Sequence, residues 1–177
     1  MSASIAARPT TYRGIQMRSR LEATVAAQFD RWRYDWAYEP RAYGSKAGQY
    51  LPDFVLFVNG RPASVVEVKG RIAGEAFQIL DRMEIVWDSE PDVFLVLIDA
   101  AAIRAGEWRE VDAPRASFFV RMHGEQANPT TRGVFVLCKC GTVGMRFGPA
   151  GELWGRCRGC DGTETPLAYL DPTEYRA

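Results

Sequence analysis

The stretch at residues 50–70, YLPDFVLFVNGRPASVVEVKG, constrains the fold of this chain more than any other. Residues 51–58 and 63–69 are rich in the β-branched and aromatic side chains that favour strands. Between them lies Asn59-Gly60, a strong signal for a tight hairpin because both residues accept a positive φ. The stretch therefore predicts two antiparallel strands joined by a short turn.

Three charged residues interrupt these otherwise apolar strands. Asp53 stands near the start of the first strand, and Glu67 and Lys69 end the second. Because side chains alternate between faces along a strand, Glu67 and Lys69 share a face. Folding the chain at the turn brings Asp53 level with residues 66–68, within one position. Two carboxylates and an ammonium group are therefore expected to meet at the open end of the hairpin.

This group of charges suits metal-assisted chemistry. Two neighbouring carboxylates repel each other unless a cation lies between them, and Mg²⁺ prefers oxygen ligands. A lysine beside such an ion can orient or deprotonate an attacking water, which predicts a metal-dependent phosphodiesterase. A competing interpretation makes Asp53 a turn residue after Pro52, and makes Glu67 and Lys69 an exposed ion pair on an edge strand. The flanking valines argue against it, because unpaired charge is costly in a buried strand.

Pro52-Asp53 followed by Glu67-Val68-Lys69 resembles the motif of the PD-(D/E)XK superfamily, the restriction-endonuclease-like nucleases. Within this superfamily the sequence is most similar to the phage endonuclease I group, which resolves branched DNA, and to small nucleases of phages and mobile elements. Those small nucleases carry an Arg-Ser-x-Leu-Glu helix upstream, which residues 18–22 match. Residues 38–40, Tyr-Glu-Pro, match the segment that leads to the first strand, so the likeness covers about residues 12–100.

The resemblance implies a Mg²⁺- or Mn²⁺-dependent DNA endonuclease with an α/β fold, in which helices flank a mixed central sheet. Asp53 and Glu67 would bind the metal ion, with the backbone carbonyl of Val68 as a third ligand. Lys69 would position or activate water, and Glu22 would assist as an indirect or second-metal ligand. The expected partner is DNA, and the expected source is a phage or a mobile element.

Glu22 also has a structural interpretation. A helix is predicted from Ser19 to residue 32 or 34, because apolar residues fall on one face at Leu21, Val25, Phe29 and Trp32. Ser19-x-x-Glu22 is a capping box, in which Glu22 reaches back to an unpaired backbone N–H at the helix start. A carboxylate in the first turn can serve both as a cap and at a metal site.

The segments after the hairpin predict the rest of the sheet. Residues 75–86 have the periodicity of a helix, with Phe77 and Leu80 on its apolar side. Residues 92–98 are almost purely apolar, as in a strand buried on both faces. They are expected to pair parallel to residues 63–69 through a right-handed crossover. Three shorter elements are also predicted: an edge strand at 36–39, a helix at 100–108 and an element at 117–122.

The C-terminal segment holds two close pairs of cysteines with sixteen residues between them: Cys138, Cys140, Cys157 and Cys160. Two such pairs can supply four thiolates to one structural Zn²⁺. The arrangement resembles a zinc ribbon, although the first pair is one residue shorter than the commoner Cys-x-x-Cys. A break at residues 128–131 predicts a nuclease core at 12–127 and a zinc-ribbon-like module with a tail at 128–177. Basic and aromatic side chains in this module suit either nucleic-acid contact or packing against the core.

Composition limits the remaining possibilities. Twenty-two basic and twenty-two acidic residues cancel, and the pI is near 6.6, so any nucleic-acid surface must be local. No apolar run reaches the length of a membrane span and the start is not a secretory signal, which predicts a cytoplasmic protein with no membrane partner. In that compartment clustered cysteines favour metal binding over disulfides.

Two alternative functions fit the same residues. The first is a nuclease specific for branched DNA such as Holliday junctions, which requires a homodimer because two incisions must be placed symmetrically. The second is a zinc-ribbon protein that keeps the nuclease fold without catalysis and acts as an adaptor or nucleic-acid-binding protein. The presence of Asp53, Glu67 and Lys69 together favours the enzyme.

Overall fold

The computed structural model describes residues 8–45, 48–70, 72, 75–99, 118–124, 130–138, 143–147 and 164–166. Within them the protein is a mixed α/β structure with helices α1 (Arg20–Arg31) and α2 (Ala76–Met83) and a short 3₁₀ helix at Glu84–Asp88. The strands are β1 (Thr10–Tyr12), β2 (Ile15–Met17), β3 (Asp35–Tyr38), β4 (Tyr43–Ser45), β5 (Gly48–Tyr50), β6 (Phe54–Val58), β7 (Arg61–Lys69), β8 (Phe94–Asp99), β9 (Phe118–Arg121), β10 (Thr130–Cys138), β11 (Val143–Phe147) and β12 (Glu164–Pro166).

Eight of the described strands form one sheet in the order β11-β10-β9-β8-β7-β6-β3, with β12 also paired to β10. β7 and β8 are parallel while the other neighbours are antiparallel, so the predicted α/β class with a mixed sheet is confirmed. The predicted edge strand at 36–39 is also confirmed, because β3 pairs with β6 at the end of this order.

The central hairpin has the predicted turn. β6 and β7 pair from Phe54 with Val66 to Val58 with Arg61, with one register shift after Leu56. Asn59 has a φ of 52° and Gly60 a φ of 73°, so both turn residues adopt the left-handed conformation that favours glycine and asparagine. The turn therefore fixes the pairs next to it, and the register shift moves every pair from Leu56 onward by one residue.

Strand β8 returns parallel to β7 after α2. The register runs from Ser64 with Phe94 to Lys69 with Asp99, which confirms the predicted parallel pairing across an intervening helix. The four residues at 95–98 are all buried, as expected for a strand that is covered on both faces.

Apolar side chains on the two faces of the sheet build two cores. On one face Phe54 and Val66 pack in a cluster with Phe29 of α1. On the other face Val65 packs in a cluster with Leu80 of α2. Because β7 contributes to both clusters and has a partner strand on each side, it is not the exposed edge strand of the competing interpretation.

The two helices use the predicted faces with one correction. In α1 the buried residues include Val25 and Phe29, and Ser19 is the N-cap, as the sequence predicts. In α2 Phe77 is 61% exposed, so its assignment to the apolar side is wrong. The helix buries the row that begins at Ala76 and continues through Leu80, and Phe77 lies about 100° around the axis from that row.

The sequence analysis missed the β1–β2 hairpin. Its turn is made by Arg13, with a φ of 49°, and Gly14, with a φ of 80°. The hairpin contacts α1, where the Tyr12 hydroxyl donates to Asp30 at 2.7 Å. It therefore braces the helix whose first turn faces the candidate site.

The C-terminal strands extend the same sheet. The predicted element at 117–122 is β9, and β10 pairs antiparallel with it from Thr130 with Arg121 to Gly133 with Phe118. The predicted division of the chain after residue 127 stays a prediction, and the helix expected at 100–108 lies outside the described residues. Among the described residues, none of the helices has the length and apolar character needed to cross a membrane.

Candidate metal centre

The open end of the central hairpin brings Asp53 and Glu67 side by side. Phe54 pairs with Val66, so the residue before Phe54 lies level with the residue after Val66. The Val68 backbone N–H donates to Asp53 Oδ2 at 2.7 Å, which ties the carboxylate to the end of β7. The predicted register, with Asp53 opposite residues 66–68, is therefore observed.

Both carboxylates are withdrawn from water. Asp53 is 3% exposed and Glu67 is 9% exposed. The ammonium group of Lys69 contacts Glu67 Oε1 at 2.5 Å, and its own side chain remains partly open to solvent. The predicted acidic pair and lysine thus lie together, with the two carboxylates buried and the Lys69 side chain partly exposed.

Arg18 is the second cation at this centre. Its Nη2 donates to Asp53 Oδ1, and its Nε forms an ion pair with Glu39 Oε1 at 2.6 Å. Glu39 has a φ of 42°, an unfavourable conformation for a residue with a side chain, and its N–H donates to the Asp53 carbonyl at 3.1 Å. The loop after β3 is therefore held to both Arg18 and Asp53.

Glu22 makes the predicted helix cap and more. The Ser19 Oγ accepts the Glu22 N–H at 3.2 Å and donates its own proton to Glu22 Oε1 at 2.8 Å. Glu22 Oε2 accepts the backbone N–H of Arg18 at 3.1 Å and the hydroxyl of Tyr38 at 2.6 Å. The capping role of Glu22 is therefore confirmed, while its role at a metal site stays a prediction.

Two tyrosines donate to these carboxylates. The Tyr50 hydroxyl donates to Glu67 Oε2 at 2.8 Å, and burial together with the charge of Glu67 raises the pKa of Tyr50 far above its ordinary value. Burial and the hydrogen bond to Glu22 raise the pKa of Tyr38 to about 12. Both phenols therefore stay protonated near neutral pH and act as hydrogen-bond donors.

The centre has an excess of negative charge. Burial, followed by the charge of Glu67, raises the pKa of Asp53 to about 7 from its ordinary value of 3.8, although the Val68 N–H and Arg18 oppose the change. Fully ionised, four carboxylates face two cations, which leaves two negative charges uncompensated. The carboxylates are Glu22, Glu39, Asp53 and Glu67, and the cations are Arg18 and Lys69.

The donor set fits a Mg²⁺ or Mn²⁺ ion held by two carboxylates. Mg²⁺ commonly takes one or two protein carboxylates and keeps several waters. Within the part of the chain that the structure describes, no three His, Cys, Asp or Glu side chains are grouped closely enough to hold a metal ion. Glu22 is therefore not gathered with Asp53 and Glu67 as a direct ligand, and the Val68 carbonyl stays a predicted ligand.

Sequence reasoning missed the partners of these acids. Arg18 and Tyr38 lie in the segments at 18–22 and 38–40, which carry the family resemblance but do not indicate which acids these two residues contact. Tyr50 lies three residues before Asp53, next to an apolar strand start, and carried no separate signal. The contacts of Arg18 with Asp53 join residues that are 35 positions apart, which no local pattern reveals.

The predicted zinc ligands lie almost entirely outside the described residues. Cys138 is the last residue of β10, while Cys140, Cys157 and Cys160 fall in segments that are not described. The strands on either side of the first cysteine pair, β10 and β11, form an antiparallel hairpin. The zinc site therefore stays a prediction from the spacing of the cysteines.

Comparison of the chain with protein-family models, with curated proteins and with solved structures finds no match. The fold and the site thus define a mixed α/β protein with a buried acidic centre at the end of its central hairpin.

Proposed function

We propose that this protein is a metal-dependent DNA endonuclease that hydrolyses phosphodiester bonds with Mg²⁺ or Mn²⁺. The observation that carries the proposal is the buried pair of Asp53 and Glu67, with Lys69 at 2.5 Å from Glu67. A protein gains no stability from burying two neighbouring acids, because each raises the cost of ionising the other. Their placement is explained if a divalent cation binds to both carboxylates and offsets their charge.

The order of elements supports a restriction-endonuclease-like core. Asp53 precedes the first strand of the hairpin, and Glu67 and Lys69 end the second strand. The third strand, β8, runs parallel to the second after a helix. This is the arrangement that the resemblance of the motifs to PD-(D/E)XK nucleases implies.

The residues divide the work of such a reaction. Asp53, Glu67 and the carbonyl of Val68 would hold the ion, which when bound polarises the phosphodiester and offsets the charge that develops on it. Lys69, partly exposed beside Glu67, would orient the attacking water and take up or release a proton. Glu22 would act indirectly, by holding the backbone of Arg18, whose side chain contacts Asp53.

The four cysteines are proposed to hold a structural Zn²⁺ that is separate from the ion at Asp53. Four thiolates are soft ligands that suit zinc, whereas the oxygens of the hairpin centre suit Mg²⁺ or Mn²⁺. Experiments on the hairpin centre should therefore add or withhold Mg²⁺ and Mn²⁺ without a chelator, so that bound zinc is not removed.

The proposal is tested by cleavage of supercoiled plasmid, linear duplex, nicked duplex and four-way-junction DNA with Mg²⁺ or Mn²⁺. Lys69→Met should lower the cleavage rate by about a hundredfold or more, because it removes the amine that would orient the attacking water and take up or release a proton. Asp53→Asn should abolish metal-dependent cleavage, since it removes a ligand. Asp35→Asn, which changes an exposed aspartate on β3, is the matched control and should cleave like the wild type.

The substrate series also separates the alternatives. Selective cleavage of the junction would favour the branched-DNA enzyme, which should then behave as a dimer in light scattering. Equal nicking by the wild type, Lys69→Met and Asp53→Asn would show that the nicking has another source and would remove the proposal. Mn²⁺ binding at Asp53 with no cleavage of any DNA would favour the non-catalytic adaptor.

A further inference from the structure

Arg18 holds the oxygen of Asp53 that a metal ion would need. Asp53 Oδ2 is used by the Val68 N–H at 2.7 Å, which leaves Oδ1 as the oxygen turned away from the strand. Arg18 Nη2 donates to this Oδ1. A guanidinium group and a divalent cation cannot both lie against one oxygen without strong repulsion between them. The ion pair and a bound metal are therefore alternatives.

Arg18 is also anchored by groups other than Asp53. Its Nε remains on Glu39 Oε1 at 2.6 Å, and its backbone N–H is held by Glu22 Oε2 at 3.1 Å and by the Tyr38 hydroxyl at 3.0 Å. If Asp53 turned to a metal ion, these contacts would keep the guanidinium group beside the centre. Its Nη donors would then have lost their carboxylate.

The Arg18 side chain is 56% exposed, so an external anion can reach it. A guanidinium group presents a planar fork of N–H donors that matches the oxygens of a phosphate, and it remains charged at any physiological pH. Exchange of one anionic oxygen for another also preserves the charge balance around Glu39 and Arg18. The ligand chemistry that fits the released donors is therefore a phosphodiester.

We propose that Arg18 is a phosphate-binding residue of the substrate site. When a divalent cation binds Asp53 Oδ1, Arg18 releases Asp53 and binds a DNA phosphate instead. This inference rests on the proposed nuclease function and adds an order to it. Without the cation the centre carries excess negative charge and Arg18 is engaged, so DNA is repelled. With the cation the excess is offset and Arg18 is released, so metal and DNA each raise the affinity for the other.

The test uses the full chain and the variants Arg18→Gln and Arg20→Gln. Arg20 is an exposed arginine two residues along, so it controls for a general loss of positive charge. Calorimetry with Mn²⁺ measures the affinity for the ion, and fluorescence anisotropy of a labelled duplex measures DNA binding, with Ca²⁺ or with no added divalent ion. Arg18→Gln should bind Mn²⁺ several-fold more tightly, since the competing cation is gone.

The same variant should lose about tenfold in DNA affinity in Ca²⁺, as expected for one charged hydrogen bond, and almost nothing without divalent ion. The slope of log affinity against log salt should fall by about one phosphate contact in Ca²⁺. Arg20→Gln should bind Mn²⁺ like the wild type, and any loss of DNA affinity should be equal in both conditions. Arg18→Lys, which keeps the charge without the fork, should fall between the wild type and Arg18→Gln.

The outcomes separate this inference from the proposed function. If the wild type binds Mn²⁺ through Asp53 but Arg18→Gln and Arg18→Lys bind DNA in Ca²⁺ as the wild type does, Arg18 is structural and the inference is overturned. If the wild type does not bind Mn²⁺, or Asp53→Asn binds it equally well, the proposed function itself fails. The thermal midpoint of each variant shows whether it is folded, and Arg18→Lys remains informative if Arg18→Gln is not.

Discussion

Opposing effects act on the pKa of the Asp53 carboxyl group. Burial and the charge of Glu67 raise its pKa to about 7, and the Val68 N–H and Arg18 oppose them only in part. Ionisation therefore destabilises the folded protein when no divalent cation is present. A turn residue exposed to solvent would not carry this cost, so Asp53 is not the exposed turn residue of the competing interpretation.

This environment predicts how stability depends on pH. The unfolded chain releases the Asp53 proton near pH 4 and the folded chain near pH 7, so the stability that this group contributes is complete below about pH 4. It is lost as the pH rises through about 7. Without added divalent ion, the free energy of unfolding of the wild type should fall from pH 5 to pH 8, by on the order of a few kcal/mol more than that of Asp53→Asn. Urea unfolding at intervals across this range measures both slopes.

Asp30 offers an internal contrast with the opposite sign. Burial raises the pKa of Asp30, but hydrogen bonds from Tyr12 and Trp36 outweigh it and lower the pKa below 3.8. Its contribution is therefore lost only as the pH falls below about 4, outside the range tested. Parallel slopes for the wild type and Asp53→Asn would show that Asp53 titrates normally in the folded protein.

At the residue scale the sequence predicts pairings along the hairpin and not those across the molecule. Asn59-Gly60 sets the pairing next to the turn, and the register shift of one residue between Leu56 and Phe57 then places Asp53 level with Glu67. The contact of Arg18 with Asp53 depends on where the first turn of α1 lands on the sheet. That position is decided by packing of the whole helix face, which a linear pattern does not specify.

At the scale of secondary-structure elements, the first turn of α1 connects the helix cap to the candidate site. Ser19 receives the Glu22 N–H and donates to the Glu22 carboxylate, and that carboxylate holds the Arg18 backbone. Ser19→Ala should therefore lower the free energy of unfolding by about 1 kcal/mol, the usual worth of an N-cap. The measurement is urea unfolding at pH 7.

Thr24→Ala is the matched control in the same helix. The Thr24 hydroxyl donates to the Arg20 carbonyl at 3.0 Å and caps nothing, so its loss should change stability by only a few tenths of a kcal/mol. A loss for Ser19→Ala no larger than that for Thr24→Ala would contradict a capping role for Ser19.

Element positions were more predictable than the faces of short elements. The interior of α1 repeats its apolar spacing over three turns, so its buried side followed from the sequence. Helix α2 has only eight residues, and two rows of apolar side chains were available to it. Its first residue, Ala76, is small and packs inward, which turns Phe77 to solvent. In a helix this short, packing against the neighbouring sheet decides which row of side chains is buried.

At the scale of the molecule, the parallel step from β7 to β8 gives β7 its second partner strand and so buries the strand that carries Glu67 and Lys69. Parallel strands end at the same edge, so Lys69 and Asp99 finish together beside the start of β6. The alternation of helix and apolar strand predicted this step. The continuation of the sheet from β9 into β10 could not be predicted, because it pairs strands across the break that composition suggested at residues 128–131.

The chain has no net charge, but the centre at Asp53 and Glu67 is locally negative. A divalent cation should therefore stabilise the folded protein through these two carboxylates. A ligand that binds only the folded state stabilises it by about 2.7 kcal/mol when present at a hundred times its dissociation constant. Mn²⁺ at that level should therefore raise the thermal midpoint of the wild type by several degrees. Glu67→Gln and Asp53→Asn should lose most of this rise, and the exposed-site variant Asp35→Asn should keep it. An equal rise in all four proteins, measured by scanning calorimetry, would mean that the ion acts elsewhere and that these acids do not bind it.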